Sequence, residues 1–304
     1  MIKQTLYFIG ILLCFYSCIS DLDLDYPEAD KQPILNCIMQ NDSAISAQLS
    51  WSATKHNGAI EPILKAKVSL FLSGELIETV NQSDAKGNYF FKHIATPNKE
   101  YEVTAAFDQS VLSAKTTSVS KPNITIDREF KEYRSDRIYK LSINEIDDSV
   151  GALYLFIYNE YTSYEDQSKY WSHEFLFCNS PLADDFNAYF FSGRHDGFHY
   201  LYDYFVRVDA NNLRSKKAVI NLATIIGSDK VKVRILTTNP LYDAYFKSAY
   251  LQRTFDPNNN LPFSYYPVPI PSNIEGGLGI FSGIDITEFV FDDTAKNDSI
   301  SIHY

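Results

Sequence analysis

The sequence predicts a mainly β chain made of two consecutive sandwiches. Three observations point that way. Short period-two runs crowd residues 33–120, longer and more aromatic runs fill the remainder, and only one stretch carries helical spacing. The composition supports a large buried core: 304 residues, 45% hydrophobic, with 22 Tyr and 21 Phe. Gly and Pro stand at 12 each, which excludes collagen-like and low-complexity chains. A net charge of -11 argues against nucleic acid as a partner, because phosphate binding needs a basic field.

Residues 1–17 read as an export signal. Lys3 is the only charge in them, and the apolar run Leu6 to Tyr16 is too short to span the roughly 30 Å hydrocarbon core. Ser17-Cys18 places a small residue before a cysteine, as lipoprotein processing requires, so Cys18 is the expected lipidation site and the link to outer-membrane lipid. Phe15 and Tyr16 depart from the usual residues at the cleavage box, and a plain secretory signal would leave Cys18 unmodified. Residues 18–32 form an acidic tether opening Ile19-Ser20-Asp21-Leu22-Asp23-Leu24-Asp25. It resembles surface-export signals of Bacteroidota lipoproteins. The expected location is the outer membrane, on the cell surface or on the periplasmic face.

Residues 33–120 hold about seven short strands with turn residues between them, the pattern of an immunoglobulin-like sandwich. Within Ala47 to Ser52, Leu49 and Trp51 fall on one face. Lys121-Pro122-Asn123 marks a boundary. In the second domain, 121–304, strands are expected at Arg137 to Ile143, Ala152 to Tyr158, His173 to Phe177, Tyr200 to Val208, Lys217 to Ile220 and Lys230 to Leu236. Alternation of Val231, Val233 and Ile235 with Lys232, Arg234 and Leu236 implies one solvated face. Asn239 can cap a helix with Pro240 at its first position. Tyr242, Tyr245, Phe246, Ala249 and Tyr250 then form a single stripe, suited to lying on a sheet.

Candidate chemistry is sparse. Cys37 and Cys178 sit in apolar strand-like runs, which favours buried free thiols, although spacing alone does not decide pairing. His195 and His199 are flanked by Gly193 and Gly197, which point to a loop and not to a metal-binding helix face. Asp184, Asp185 and Asp196 lack a calcium-loop ladder. No nucleophile elbow occurs, and Asp147-Asp148 and Asp292-Asp293 lie in turn-like stretches, so no enzyme, metal or cofactor is expected; a hydrolase with its carboxylates in an inter-domain cleft is the third, lesser reading. Tyr161, Tyr164, Tyr170 and Trp171 lie in a polar stretch, where aromatics serve either the core or contact with a glycan, peptide or partner.

The segment Ser272-Asn273-Ile274-Glu275-Gly276-Gly277-Leu278-Gly279-Ile280-Phe281-Ser282-Gly283 is the most distinctive. Asn273, Glu275, Gly276, Gly277, Gly279 and Phe281 fit a tight turn or bulge entering the last strands, or a partner-facing loop. With the Tyr-rich helix before it, the segment resembles the Bacteroidota lipoproteins of the domain of unknown function 4249 family. Leu24-Asp25-Tyr26-Pro27-Glu28-Ala29, Ala66-Lys67-Val68-Ser69-Leu70, Gly87-Asn88-Tyr89 and Tyr101-Glu102-Val103 resemble further family segments in the same order, with Lys65 where the family carries Gly. The resemblance implies an outer-membrane lipoprotein encoded beside TonB-dependent transporters. It would be a non-catalytic accessory or binding component for nutrient uptake or surface assembly, or else a stand-alone surface glycan- or peptide-binding lipoprotein. It further implies an N-terminal sandwich similar to carboxypeptidase-regulatory-like modules, and it carries no catalytic residues.

Overall fold

The computed structural model describes residues 30–53, 60–131, 136–195, 198–202, 204–213, 217–224, 230–254, 268–292 and 300–303. The chain divides into two compact units. One comprises Met1–Lys31 and Ala53–Ala59; only Asp30, Lys31 and Ala53 of it are among the described residues. Cys18, the signal and most of the tether therefore lie outside them. The other unit, Gln32–Ser52 with Ile60–Tyr304, carries the fold.

Its first eight strands are β1 (Pro33–Gln40), β2 (Ala44–Trp51), β3 (Glu61–Pro62), β4 (Lys67–Leu72), β5 (Glu75–Val80), β6 (Asn88–Ile94), β7 (Glu100–Phe107) and β8 (Ser110–Thr117). Then come β9 (Asn123–Lys131), β10 (Asp136–Glu145), β11 (Ala152–Thr162), β12 (Lys169–His173), β13 (Leu176–Phe177), β14 (Ala188–His195), β15 (Phe198–Tyr202), β16 (Val206–Asp209), β17 (Ala218–Thr224) and β18 (Lys230–Thr238). The helix α1 (Pro240–Thr254), β19 (Leu278–Asp292) and β20 (Ile300–His303) complete the order.

A ten-stranded sheet runs β12-β11-β18-β19-β1-β2-β3, with β16 also on β11, β20 on β19 and β6 on β2. A four-stranded sheet, β5-β4-β7-β8, packs on the β1–β2–β6 part of it. The six-stranded sheet β14-β15-β13-β17-β10-β9 packs on the β11–β18–β19 part. The chain is thus mainly β and sandwich-like.

Alternation sets each core. Leu35, Cys37 and Met39 of β1, Ile45, Ala47 and Leu49 of β2, and Tyr101, Val103 and Ala105 of β7 all point into the first core. Leu153, Leu155 and Ile157 of β11, with Val231, Val233 and Ile235 of β18, fill the second. Each Val, Leu, Ile or Met among them contributes about 1.5–3 kcal/mol by leaving water. Cys37 and Cys178 are free and buried, one in each core.

The expected division at 120–121 is crossed by backbone pairing. β19 is fifteen residues long; its first part, Leu278 to Ile284, pairs in parallel with Ile34 to Gln40 of β1. Its remainder, Ile284 to Asp292, pairs with β18. One strand therefore serves both sandwiches, and Ile274 and Phe281 bury their side chains in the first core although they fall late in the chain. Polar side chains fix the seam. Asn41 donates to the Asp285 carboxylate at 2.9 Å and to the Val119 carbonyl at 3.0 Å. Asn239 accepts from the Tyr242 amide (2.9 Å) and the Ser282 hydroxyl (2.6 Å), and donates to Thr116 Oγ1 (3.1 Å) and the Thr117 carbonyl (3.3 Å).

Asn239 is thus the N-cap expected for α1. The helix lays Tyr242, Phe246 and Tyr250 over Tyr154, Phe205, Leu236 and Ile284 on the outer face of the ten-stranded sheet. With α1 over Tyr154, Phe205 and His173 against Phe156, and His173 and Arg234 against Tyr158, β11 is buried along eight successive residues, three aromatics outward and three aliphatics inward.

Two expected strands are each two strands. His173 to Phe177 splits into β12 of the ten-stranded sheet and β13 of the six-stranded sheet; Tyr200 to Val208 splits into β15 and β16 in the same way. The second break falls at Tyr204, whose φ of 67° lies in the left-handed region and cannot continue a strand. Both are corners where the chain changes sheet. The residues around Gly193, expected as a loop, form the hairpin β14–β15; Asp196 and Gly197 lie outside the described residues.

Candidate functional site

The two corners meet. Trp171, Ser172, His173, Glu174 and Phe175 on the first, and Tyr204 on the second, line a pocket of about 390 Å³. It opens where the edge of the ten-stranded sheet is broken. β12 pairs with Tyr158 to Thr162 of β11 and β16 with Ala152 to Leu155, so the chain leaves and rejoins the edge between them.

Register places the surrounding side chains. Tyr158 faces His173 on one neighbour and Lys232 on the other, and Arg234 faces Glu288. All stand on the outer face, beside the area that α1 covers. The His173 ring lies 4.2 Å from Tyr158 and edge-on to Tyr204 at 5.7 Å. The Lys232 ammonium sits 4.7 Å from the Trp171 ring and 5.3 Å from Tyr158. Arg234 stacks 5.1 Å from Tyr158 and donates from Nε to Glu288 at 2.5 Å. Such cation–ring contacts contribute about 0.5–2 kcal/mol and hold the rings rigidly in place. Partial burial, helped by the Arg234 charge, pulls His173 below the ordinary histidine range.

Around this rigid base the walls are unusually exposed for large aromatics: Phe175 at 56% and Tyr204 at 52%. The nearby carboxylates are engaged, Glu174 by the Tyr161 hydroxyl at 2.6 Å and Glu288 by Arg234. Apolar ring faces with a cationic margin suit contact with a ligand more than proton transfer to one.

Of the residues singled out by sequence, Trp171 lines the pocket. Tyr170 pairs with Tyr161 across the hairpin on the opposite face, their rings 6.0 Å apart, and Tyr164 is fully exposed at its turn. His173, Phe175, Tyr204, Lys232 and Arg234 were not singled out. The available signal was aromatic residues inside runs that break alternation.

The glycine segment lies elsewhere, in the seam of the first sandwich. Glu275 bridges to Ser113 of β8, and Asn273 accepts from the Phe281 amide (2.9 Å) while donating to the Phe281 and Lys115 carbonyls (3.0 and 3.3 Å). A Cβ on Gly276 would meet the Val111 carbonyl oxygen at 2.4 Å, and one on Gly279, whose φ is 117°, the Leu35 carbonyl oxygen at 2.0 Å. Gly276 admits close backbone approach between the two sheets, and Gly279 between the neighbouring strands β19 and β1 of one sheet. Gly276, Gly277 and Phe281 belong to the same seam, where Phe281 is fully buried.

Under α1 a second polar cluster is engaged internally. Arg207 is 5% exposed and contacts Asp184, Asp209 and Asp243, while Lys247 joins Asp184 at 3.2 Å. Among the described residues no group of His, Cys, Asp and Glu could hold a metal ion. Nor is any helix among them long and apolar enough to cross a membrane.

The family model described as Domain of unknown function (DUF4249) matches residues 19–289. The chain belongs to the DUF4249 family. No curated protein matches it. Among solved structures, the chain is similar to "The structure of a beta-glucuronidase from glycoside hydrolase family 2", at 9% identity and a TM-score of 0.23. That match covers 69% of this DUF4249 chain and only 19% of the other, a likeness too slight to bear on function.

Proposed function

We propose that this DUF4249 protein is a non-catalytic binding component of the bacterial outer membrane, tethered by an acylated Cys18. We further propose that it acts as an accessory to a TonB-dependent transporter in nutrient uptake or surface assembly. The pocket between Trp171 and Tyr204 supports the binding role: the exposed rings of Phe175 and Tyr204 beside a Trp171 packed against Lys232 offer aromatic contact area in a concavity of about 390 Å³. The Ser17-Cys18 junction and the acidic residues after it support the tether. The transporter partnership rests on the family resemblance.

Trp51 and Trp171 are the two tryptophans of the chain, so Trp51→Phe leaves Trp171 as sole reporter. Glycan and peptide panels added to this full-length variant should change Trp171 emission for one class. Emission unmoved by every panel would remove the pocket as the ligand seat. Crosslinked pull-down from outer membranes should recover a large barrel. Recovery of the binding activity intact in a strain lacking that barrel would instead make the protein a stand-alone surface glycan- or peptide-binding lipoprotein. Soluble protein with unmodified Cys18 would overturn the placement.

A further inference from the structure

The ligand class follows from main-chain geometry at the pocket. In an antiparallel ladder, hydrogen-bonded pairs alternate with pairs whose N–H and C=O groups point outward. The Glu174 amide donates to the Ile157 carbonyl at 3.0 Å, and the Ser163 amide to the Ser168 carbonyl at 2.8 Å. With Tyr158 opposite His173, the bonded positions of β12 are therefore Tyr170 and Ser172. Lys169, Trp171 and His173 turn their main-chain groups to the other side. Among the described residues no strand pairs with that side; Ser172 Oγ, 3.5 Å from the His173 carbonyl, is the contact made there.

The other half of the same edge is closed. On β16 the Arg207 carbonyl accepts from the Asp184 amide at 2.8 Å, and Ala183 bridges to Val208. The open half is thus the half beside the pocket. Its outer face also differs in charge from the molecule as a whole. Lys169, Lys230, Lys232 and Arg234 outnumber Glu160, Glu288 and Asp292 by one, in a chain of net charge -11.

With the pocket as the ligand seat proposed above, we infer that β12 is a docking edge for an extended acidic peptide. The incoming strand bonds to the main chain of Trp171 and His173. One of its apolar side chains enters the pocket against Phe175 and Tyr204, and an acidic side chain on the same face, two residues away, meets Lys169, the most exposed of these four cations and the one on the edge strand itself. Strand addition supplies affinity through the backbone and selectivity through alternate side chains.

Full-length protein carrying Trp51→Phe, screened against a phage-displayed library of random short peptides, tests this. Enriched peptides should alternate acidic and apolar residues. N-methylation along such a peptide should weaken binding about tenfold or more at every second position and little between, since each methyl removes one donor. Tyr204→Ala should abolish selection for the apolar residue, and Lys169→Glu should weaken acidic peptides several-fold. N-methyl effects without a period of two, or peptide binding indifferent to Tyr204→Ala, would overturn docking at this edge. No enriched peptide together with glycan quenching of Trp171 would overturn the peptide class and leave the pocket reading standing. Silence from both would overturn the two together.

Discussion

Arg207 grips Asp243 with two parallel hydrogen bonds, Nε to Oδ1 at 2.8 Å and Nη2 to Oδ2 at 2.6 Å. One residue lies in β16 and the other in the first turn of α1, so the fork fastens the helix to the sheet. The Tyr154 hydroxyl adds a third hydrogen bond to Oδ1 at 2.7 Å. Asp243→Ala should destabilise the protein by about 1.5–3 kcal/mol, because it removes the fork while Asp184 and Asp209 still compensate the guanidinium. Urea unfolding measures the loss, and a cost near zero would mean that the helix does not depend on the fork.

Asn239 should prove costlier than an ordinary cap. A helix cap alone contributes about 0.5–2 kcal/mol, but Asn239→Ala also strands Ser282 and the β8 groups that its amide joins. Asn239→Asp keeps the acceptor and loses the donors, so it should fall between the wild type and Ala in the same denaturation series.

Two glycines with left-handed φ should respond very differently to alanine. At Gly74 a Cβ meets nothing within 4 Å, so the cost is backbone strain of about 1 kcal/mol. At Gly279 it would strike the Leu35 carbonyl, and Gly279→Ala should prevent β1 from pairing with β19. Thermal melts of the two variants should show a shift of a few degrees for the first and loss of the transition for the second.

His173 should titrate below the usual histidine midpoint, and Arg234→Gln should move it upward, as followed by its ring proton resonances. The sign for stability follows. Unfolded histidine binds a proton near pH 6.5, and the folded site binds it less readily. Stability is therefore present above that value and declines as pH falls toward the lower folded midpoint.

Burial pushes the Cys37 thiol up to about 12 and Cys178 to about 11. Neither should react with iodoacetamide at neutral pH while the protein is folded, and both should react in denaturant. Mass spectrometry of the labelled chain reads the outcome.

Local pattern carried much of the architecture. Strand alternation placed Leu49, Val231, Val233 and Ile235 inside, and the Asn239-Pro240 pair marked the start of the helix. Partnership did not come with it. A strand's alternation says which face is buried but not which strand lies beside it, and β1 and β19 meet from opposite ends of the sequence. The pocket was hidden for a related reason. His173 to Phe177 and Tyr200 to Val208 each look continuous because apolar residues persist through the corner, while the change of sheet is set by packing against distant strands. Trp171 was visible as an aromatic in a polar stretch, but Tyr204 joins it only when the second corner folds beside the first.

The parallel pairing of β1 with β19 has a mechanical consequence. Tension applied to the chain ahead of Pro33 runs along the axis of β1. It loads the seven register positions from Ile34 to Gln40 in shear, all at once, and does not peel them one after another. A tugged molecule would resist as a glued lap joint does, with the long shared strand spreading the load into both halves of the body.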